Sequence, residues 1–209
     1  MSGNELTRER AWEIVSEYVA DENLRRHMWA VGAAMRHYAV VLGEDAERWQ
    51  AVGLLHDFDW EIHPDLDRHP AEGAPLLRAR DVDENTIRTI LSHNTEATGV
   101  ERQQPIDFAL LACDEITGLI TAVALVRPSR DLRDVELKSV RKKWKDGRFA
   151  AGVERRHVVD VVEDFSRACF GGELELWQHV ANVLQAMQSE AEALHLDGRL
   201  GAESPQETT

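Results

Sequence analysis

The sequence predicts an all-α helical bundle, on three observations. Apolar residues recur at three- and four-residue spacing through most of the chain, and residues that start and stop helices separate these periodic stretches. No run alternates apolar and polar residues strongly enough to be a strand, and no internal repeat is present.

The first helix is "RERAWEIVSEYV", which sets Trp12, Val15, Tyr18 and Val19 on one stripe before Asp21 and Asn23 offer a break and a new N-cap. From Leu24, the positions Met28, Val31, Met35, Tyr38, Ala39 and Leu42 keep helical spacing until Gly43 supplies a stop. A third helix runs from about Ala46 through Trp49, Val52 and Leu55 to His56-Asp57. Residues 58–69, "FDWEIHPDLDRH", contain Pro64 and four acids without a sustained period, and are expected to form a loop. Pro70 suits the first turn of a helix carrying Ala74, Leu76 and Leu77. Asp83 then caps "ENTIRTILSH", whose Ile87, Ile90 and Leu91 share a face and which ends at His93 before a polar loop of about ten residues.

Pro105 opens the most apolar stretch, "IDFALLACDEITGLITAVALV", which ends at Arg127-Pro128 and has Asp107, Asp114 and Glu115 as its acids. A basic helix around 134–144 follows, then "VERRHVVDVVEDFSRACF" up to Gly171-Gly172, then "ELELWQHVANVLQAMQSEAEAL". Residues 1–196 are read as a single helical domain and 197–209 as a disordered tail.

A chain of 209 residues can bury the core of one domain. No basic start leads into an apolar run, and no uninterrupted stretch approaches the roughly 18 apolar residues of a membrane span, so a cytoplasmic protein with no membrane partner is expected. Cys113 and Cys169 lie in apolar helical patterns and are read as reduced core residues. A net charge of −14 argues against general nucleic-acid binding. One block reverses that sign: residues 127–148 hold nine basic and four acidic residues, a solvated helix face or a local anion site.

Six residues able to bind a metal fall at helix ends or within apolar helices: His27, His56, Asp57, His69, His93 and Asp114. A lone histidine such as His27 can equally be a hydrogen-bonded core residue, and His69 a cap before Pro70. Asp114 is harder to explain that way, because a carboxylate inside "FALLACDEITGLI" is costly to bury without a partner or a cation. His27, His56, Asp57 and Asp114 would make one site of imidazole and carboxylate donors, suited to first-row divalent ions; His69 and His93 could hold a second ion, with Asp57 bridging. His37, His63, His157, His179 and His195 lie outside this scheme.

The order His27, His56-Asp57, His69 followed by "PAEGA", His93 and Asp114 resembles the HD-domain superfamily of metal-dependent phosphohydrolases, within the subset that has six ligands and two metals. The resemblance covers residues 24–118 closely, the metal-site core, and leaves 119–196 as additional basic and C-terminal helices. Residues 114–153 also resemble an uncharacterised subgroup that continues "DE(I/L)TGLI…ALVRPS…LKSV(R/K)KK(W/F)KD…FAAGV". Trp60 stands where many relatives have a lysine. The Gly-Tyr-Pro triplet of cyclic-di-GMP phosphodiesterases is absent, and Asn94 follows His93 where those enzymes have a second histidine, which disfavours a cyclic dinucleotide substrate.

The resemblance implies one or two divalent ions (Mn, Fe, Mg, Co, Ni or Zn) and hydrolysis of a small phosphoester or phosphoanhydride, a nucleotide foremost, by attack of a metal-bound hydroxide. Asp57 would bind or bridge metal, and Asp59 or Glu61 would orient water or a proton; the charge reversal of the block after the Asp114 helix makes Arg127, Arg130, Lys138, Arg141, Lys142 and Lys145 the candidates to contact phosphate. Two alternatives stand beside this: a two-iron oxygenase of the same ligand set, and a metal-stabilised binding or regulatory module with little turnover. Homo-oligomerisation stays open.

Overall fold

The computed structural model describes residues 6–202 and contains no strand among them; its one pairing of extended backbone is an antiparallel bridge between Asp131 and Asp197. Helices α1 (Arg8–Tyr18), α2 (Glu22–Leu42) and α3 (Ala46–Leu55) follow the expected pattern, and their limits are set locally. Asp21 accepts hydrogen bonds from the N–H groups of Asn23 and Leu24, both at 2.8 Å, satisfying donors that the first turn leaves free. Gly43 ends α2 at φ 72°, in the left-handed region that glycine enters without a Cβ clash.

The backbones of α2 and α3 come unusually close. A Cβ built on Gly53 would lie 2.8 Å from Gly32 Cα and 2.9 Å from Gly32 N. This approach brings His27 on α2 and His56 at the end of α3 within reach of each other.

After α3 the chain runs through successive tight turns to α4 (Ala74–Ala79), so this helix starts four residues later than Pro70 suggested. Pro75, not Pro70, occupies its first turn, where a missing N–H costs nothing. Helix α5 (Glu84–Ser92) is capped by Asp83 and ends at His93. The loop expected after His93 contains a short helix, α6 (Thr95–Thr98), whose N-cap Asn94 accepts from Ala97 N–H at 3.3 Å.

Helix α7 (Pro105–Leu125) is the centre of the bundle and packs against α2, α9 (Arg155–Phe170) and α10 (Leu176–Ser189). Its length and mean hydropathy of 1.8 would suit a membrane span, contrary to the expectation from uninterrupted apolar runs, yet its apolar side chains are covered within the fold. Leu110, Ile116, Leu119 and Ile120 are fully buried, each worth about 1.5–3 kcal/mol relative to exposure. Arg88 Nη2 on α5 donates to both oxygens of Asp107 at 2.7 and 2.8 Å, and Asp107 Oδ2 accepts from the N–H groups of Gln103 and Gln104. One buried carboxylate therefore caps α7 and ties it to α5.

His179 on α10 is also buried in the core. Its Nε2–H donates to Ala112 O at 2.9 Å, leaving Nδ1 to accept from Tyr38 Oη at 2.7 Å, and burial pushes its pKa down to about 4. Both cysteines are free; Cys113 is buried and Cys169 half-buried.

A 3₁₀ turn (Leu132–Asp134) precedes α8 (Leu137–Trp144), which carries most of the basic block. The segment expected to be a disordered tail from 197 begins with placed structure. Leu132 N–H donates to Leu196 O at 2.7 Å, Asp197 bridges Asp131, and α11 spans Arg199–Ala202. Residues 203–209 lie outside those described.

Candidate metal centre

All six predicted ligands converge. His27 projects from the second turn of α2, His56 is the C-cap of α3 with Asp57 next to it, His69 lies in the turns before α4, His93 caps the end of α5, and Asp114 sits midway along α7. His27 Nε2 lies 3.2 Å from His56 Nε2, and Asp114 Oδ1 lies 3.0 and 3.5 Å from the same two nitrogens. His69 Nε2 lies 2.9 Å from His93 Nε2.

Asp57 stands between these pairs and divides its oxygens between them. Oδ2 lies 3.5 Å from His27 Nε2 and 3.4 Å from His56 Nε2, while Oδ1 lies 3.1 Å from His69 Nε2 and 3.7 Å from His93 Nε2. Two groups able to hold an ion result, His27–His56–Asp57 and Asp57–His69–His93, with Asp57 common to both.

The outward ring nitrogens show why these donors fit a cation. His56 Nδ1 faces Gly53 O at 2.8 Å, His93 Nδ1 faces Ile90 O, and His69 Nδ1 faces Asp59 Oδ1 at 2.8 Å. His27 Nδ1 faces the hydroxyl of Thr117 at 3.3 Å, which itself donates to Asp114 O at 2.9 Å and so is left as an acceptor. Each Nδ1 therefore carries the proton of the neutral imidazole, and each Nε2 presents a lone pair to the centre. Lone pairs 2.9–3.2 Å apart beside two carboxylates are satisfied by positive charge between them.

Without an ion, protons answer the same field. Burial opposes charge on His27, but hydrogen bonds to Asp114 and Asp57 outweigh it and hold the imidazole at about 9. His69 is likewise at about 9, burial being outweighed by hydrogen bonds to Asp57 and Asp59. Burial pushes His93 down to about 4, with partial relief from Asp57. On Asp57, burial is overcome chiefly by the charge of His56, and the carboxyl stays far below its ordinary range.

The catalytic assignments for the acids after Asp57 change. Asp59 is fully buried and receives His69 Nδ1–H, so it orients His69 and does not face the open side. Gly73 explains how it fits: a Cβ there would lie 2.6 Å from Asp59 Oδ2, so only glycine lets the carboxylate in, which gives the "HPAEGA" stretch a packing reason. Glu61 turns the other way and accepts from the N–H groups of Ala20 and Asp21 at 2.7 and 3.1 Å, between α1 and α2.

Above the cluster lies an open cleft of about 530 Å³, walled by Trp60, Leu66, Leu111, Glu96, Glu115, Glu154, Arg102 and His157, with Asp57, His69, His93 and Asp114 at its floor. Trp60 meets His69 edge-on, ring centroids 5.1 Å apart. His157 Nε2 lies 3.3 Å from Glu115 Oε1. Burial, then the neighbouring Asp114 charge, lifts the Glu115 carboxyl to about 7.

None of the six basic residues expected to contact phosphate lines this cleft. Arg127 lies two residues beyond the end of α7, and the eleven residues from Asp114 to Leu125 already carry the chain about 17 Å along the axis at 1.5 Å per residue. The block is engaged elsewhere: Lys138 pairs with Glu136 at 2.5 Å, Arg141 stacks over Trp177 at 4.8 Å, Arg130 donates to Leu200 O, and Lys142 and Lys145 are exposed. Arg127 is half-buried, away from the cleft. The side chains with basic nitrogens that do reach the cleft, Arg102 and His157, were not singled out by spacing, because each depends on how a loop or α9 folds across α7.

The HD-domain family model matches residues 24–117, a span that contains all six clustered residues. No curated protein and no solved structure matches the chain. HD domains bind divalent metals and are mostly metal-dependent phosphohydrolases. This match, which spans just under half of the chain, and the six residues gathered on its helices support membership of residues 24–117 in the HD-domain superfamily.

Proposed function

We propose that the protein is a phosphohydrolase that uses divalent metal to cleave a small phosphoester, a nucleotide foremost. The observation that carries this reading is the division of Asp57 between two histidine pairs at the floor of an open cleft. His27, His56, Asp57 and Asp114 would hold one ion, and Asp57, His69 and His93 a second. Bound there, divalent ions supply Lewis acidity toward phosphoryl oxygens and make water nucleophilic near neutral pH.

The residues of the chain supply the rest. Water attacks phosphorus and the ester P–O bond breaks; one proton of the water ends on the phosphate, and the departing oxygen must receive the other. His157 lines the cleft with its Nε2 3.3 Å from Glu115 Oε1, and would deliver it through the other ring nitrogen. Trp60 and Leu66 offer an apolar wall for the organic part of the substrate, a base included. Glu96, Glu115 and Glu154 surround the same space and disfavour a long polyphosphate, so a single phosphoryl group fits best.

The test is metal analysis of the purified protein followed by a phosphatase screen of nucleoside mono-, di- and triphosphates, with Asp57→Ala as control. Monophosphate turnover that the variant lacks supports the proposal. Turnover that needs iron and O2 would replace hydrolysis by oxidative cleavage, and bound metal without turnover across the panel would leave a binding module.

A further inference from the structure

With the basic block directed elsewhere, the cleft has one side chain of permanent positive charge among its lining residues, Arg102, on the loop between α6 and α7. Its guanidinium is held without a carboxylate. Nη1 donates to Ser92 O at 3.2 Å and to Thr95 Oγ1 at 3.1 Å, and among the described residues no acid lies within ion-pair distance. A small neighbouring hollow is lined by Arg102 with Phe108, Leu111, Val161 and Asp164, and that carboxylate pairs with Arg167.

This differs from the other arginine near the site. Arg88 is committed to both oxygens of Asp107. Arg102 is fixed by neutral acceptors, and one of them, the Ser92 carbonyl, belongs to the residue preceding His93. The guanidinium is thus set in register with the His69–His93 pair, while Nε and Nη2 keep N–H groups that fit two oxygens of one oxyanion. A positive group in a cleft with five carboxylates, none of which it pairs with, is placed for an anion from outside the chain.

We propose that Arg102 clamps the phosphoryl group of the substrate over the Asp57–His69–His93 half of the centre and sets the cleft's preference for a single compact oxyanion. The identity of that oxyanion as phosphate rests on the phosphohydrolase reading above. Arg102 binds through charge and a fixed fork, so a lysine at this position keeps the charge and loses the geometry.

The experiment uses the full chain as purified, with metal content verified, and measures the dissociation constant of inorganic phosphate by calorimetry alongside KM and kcat for the best phosphomonoester. Arg102→Gln should weaken phosphate binding and raise KM by roughly 10- to 100-fold, as expected for losing charge-assisted hydrogen bonds. Bound metal should stay at the wild-type level. Arg102→Lys should recover part of the loss and also covers the case in which the glutamine variant folds poorly. Lys142→Gln, on the exposed face of α8, should behave as wild type. Phosphate binding that is unchanged in both Arg102 variants, or absent from the metal-loaded wild type at millimolar phosphate, overturns the inference. The two readings fail separately: Arg102-dependent phosphate binding without turnover removes the phosphohydrolase and keeps the clamp, whereas turnover with Arg102-independent phosphate binding does the reverse.

Discussion

Replacing Asp59 with alanine should weaken metal binding in one half of the centre and spare the other. Asp59 is fully buried, and its Oδ1 takes the Nδ1–H of His69 at 2.8 Å, while His69 Nε2 faces Asp57 and His93 at 3.1 and 2.9 Å. Removing the carboxylate leaves a buried N–H without its acceptor, which costs about 1–3 kcal/mol, and frees the ring to rotate or change tautomer. Loss of such an orienting partner lowers metal affinity by roughly 10- to 100-fold, or about 1.4–2.7 kcal/mol. These two figures agree, so most of the cost should appear as binding. His27 and His56 are oriented by Thr117 and Gly53 O instead, and their ion should be held as before. Calorimetric titration of the metal-free protein is the assay: two binding events of wild type should become one unchanged and one weakened. Asp59→Asn keeps an acceptor and should lose less. Equal weakening of both events, or no weakening, would refute the assignment of Asp59 as the residue that orients His69.

Three further outcomes follow from the same structure. Gly53→Ala should lower stability by about 1–3 kcal/mol, because its Cβ would meet Gly32 backbone at 2.8 Å with no flexible side chain to yield; an unchanged thermal midpoint would show that α2 and α3 can separate freely. His179, at about 4 in the fold against about 6.5 unfolded, contributes stability that is complete above pH 6.5 and is lost as pH falls toward 4, about 3 kcal/mol in all. His179→Gln should therefore show a shallower loss between pH 6.5 and 4.5 in urea melts, and an equal slope would count against a buried neutral imidazole. Verified chelation should lower Tm by about 5–10 °C if metal had been present at about 100 times its Kd, since the ligands join α2, α3, α5 and α7; no shift would mean that the cluster does not bind metal in the folded state.

The aspartate caps, the glycine stops and the apolar stripes were legible in the sequence because each acts within a turn or two of its own position. Asp21 and Asp83 bond to N–H groups two and three residues on, and Gly43 needs only its own φ. The residues of the cluster were legible for a different reason. A neutral imidazole or a carboxylate in an apolar helix has few satisfactory uses, and six of them in family order leave fewer still.

What the sequence alone determined, then, was the longer helices, most of their limits and the residues able to hold metal. Only the tertiary structure decided which neighbouring charges serve the site. Asp59 and Glu61 are two residues apart in one acidic turn, yet one supports His69 in the core and the other caps the α1–α2 junction. A basic block that follows the Asp114 helix in sequence is carried some 17 Å along the axis by the helix itself, while Arg102 and His157 arrive from separate elements. The physical reason is one of range: a cap or a stripe is settled over a few residues, whereas a cleft is settled by the packing of α2, α3, α5, α7 and α9 against one another.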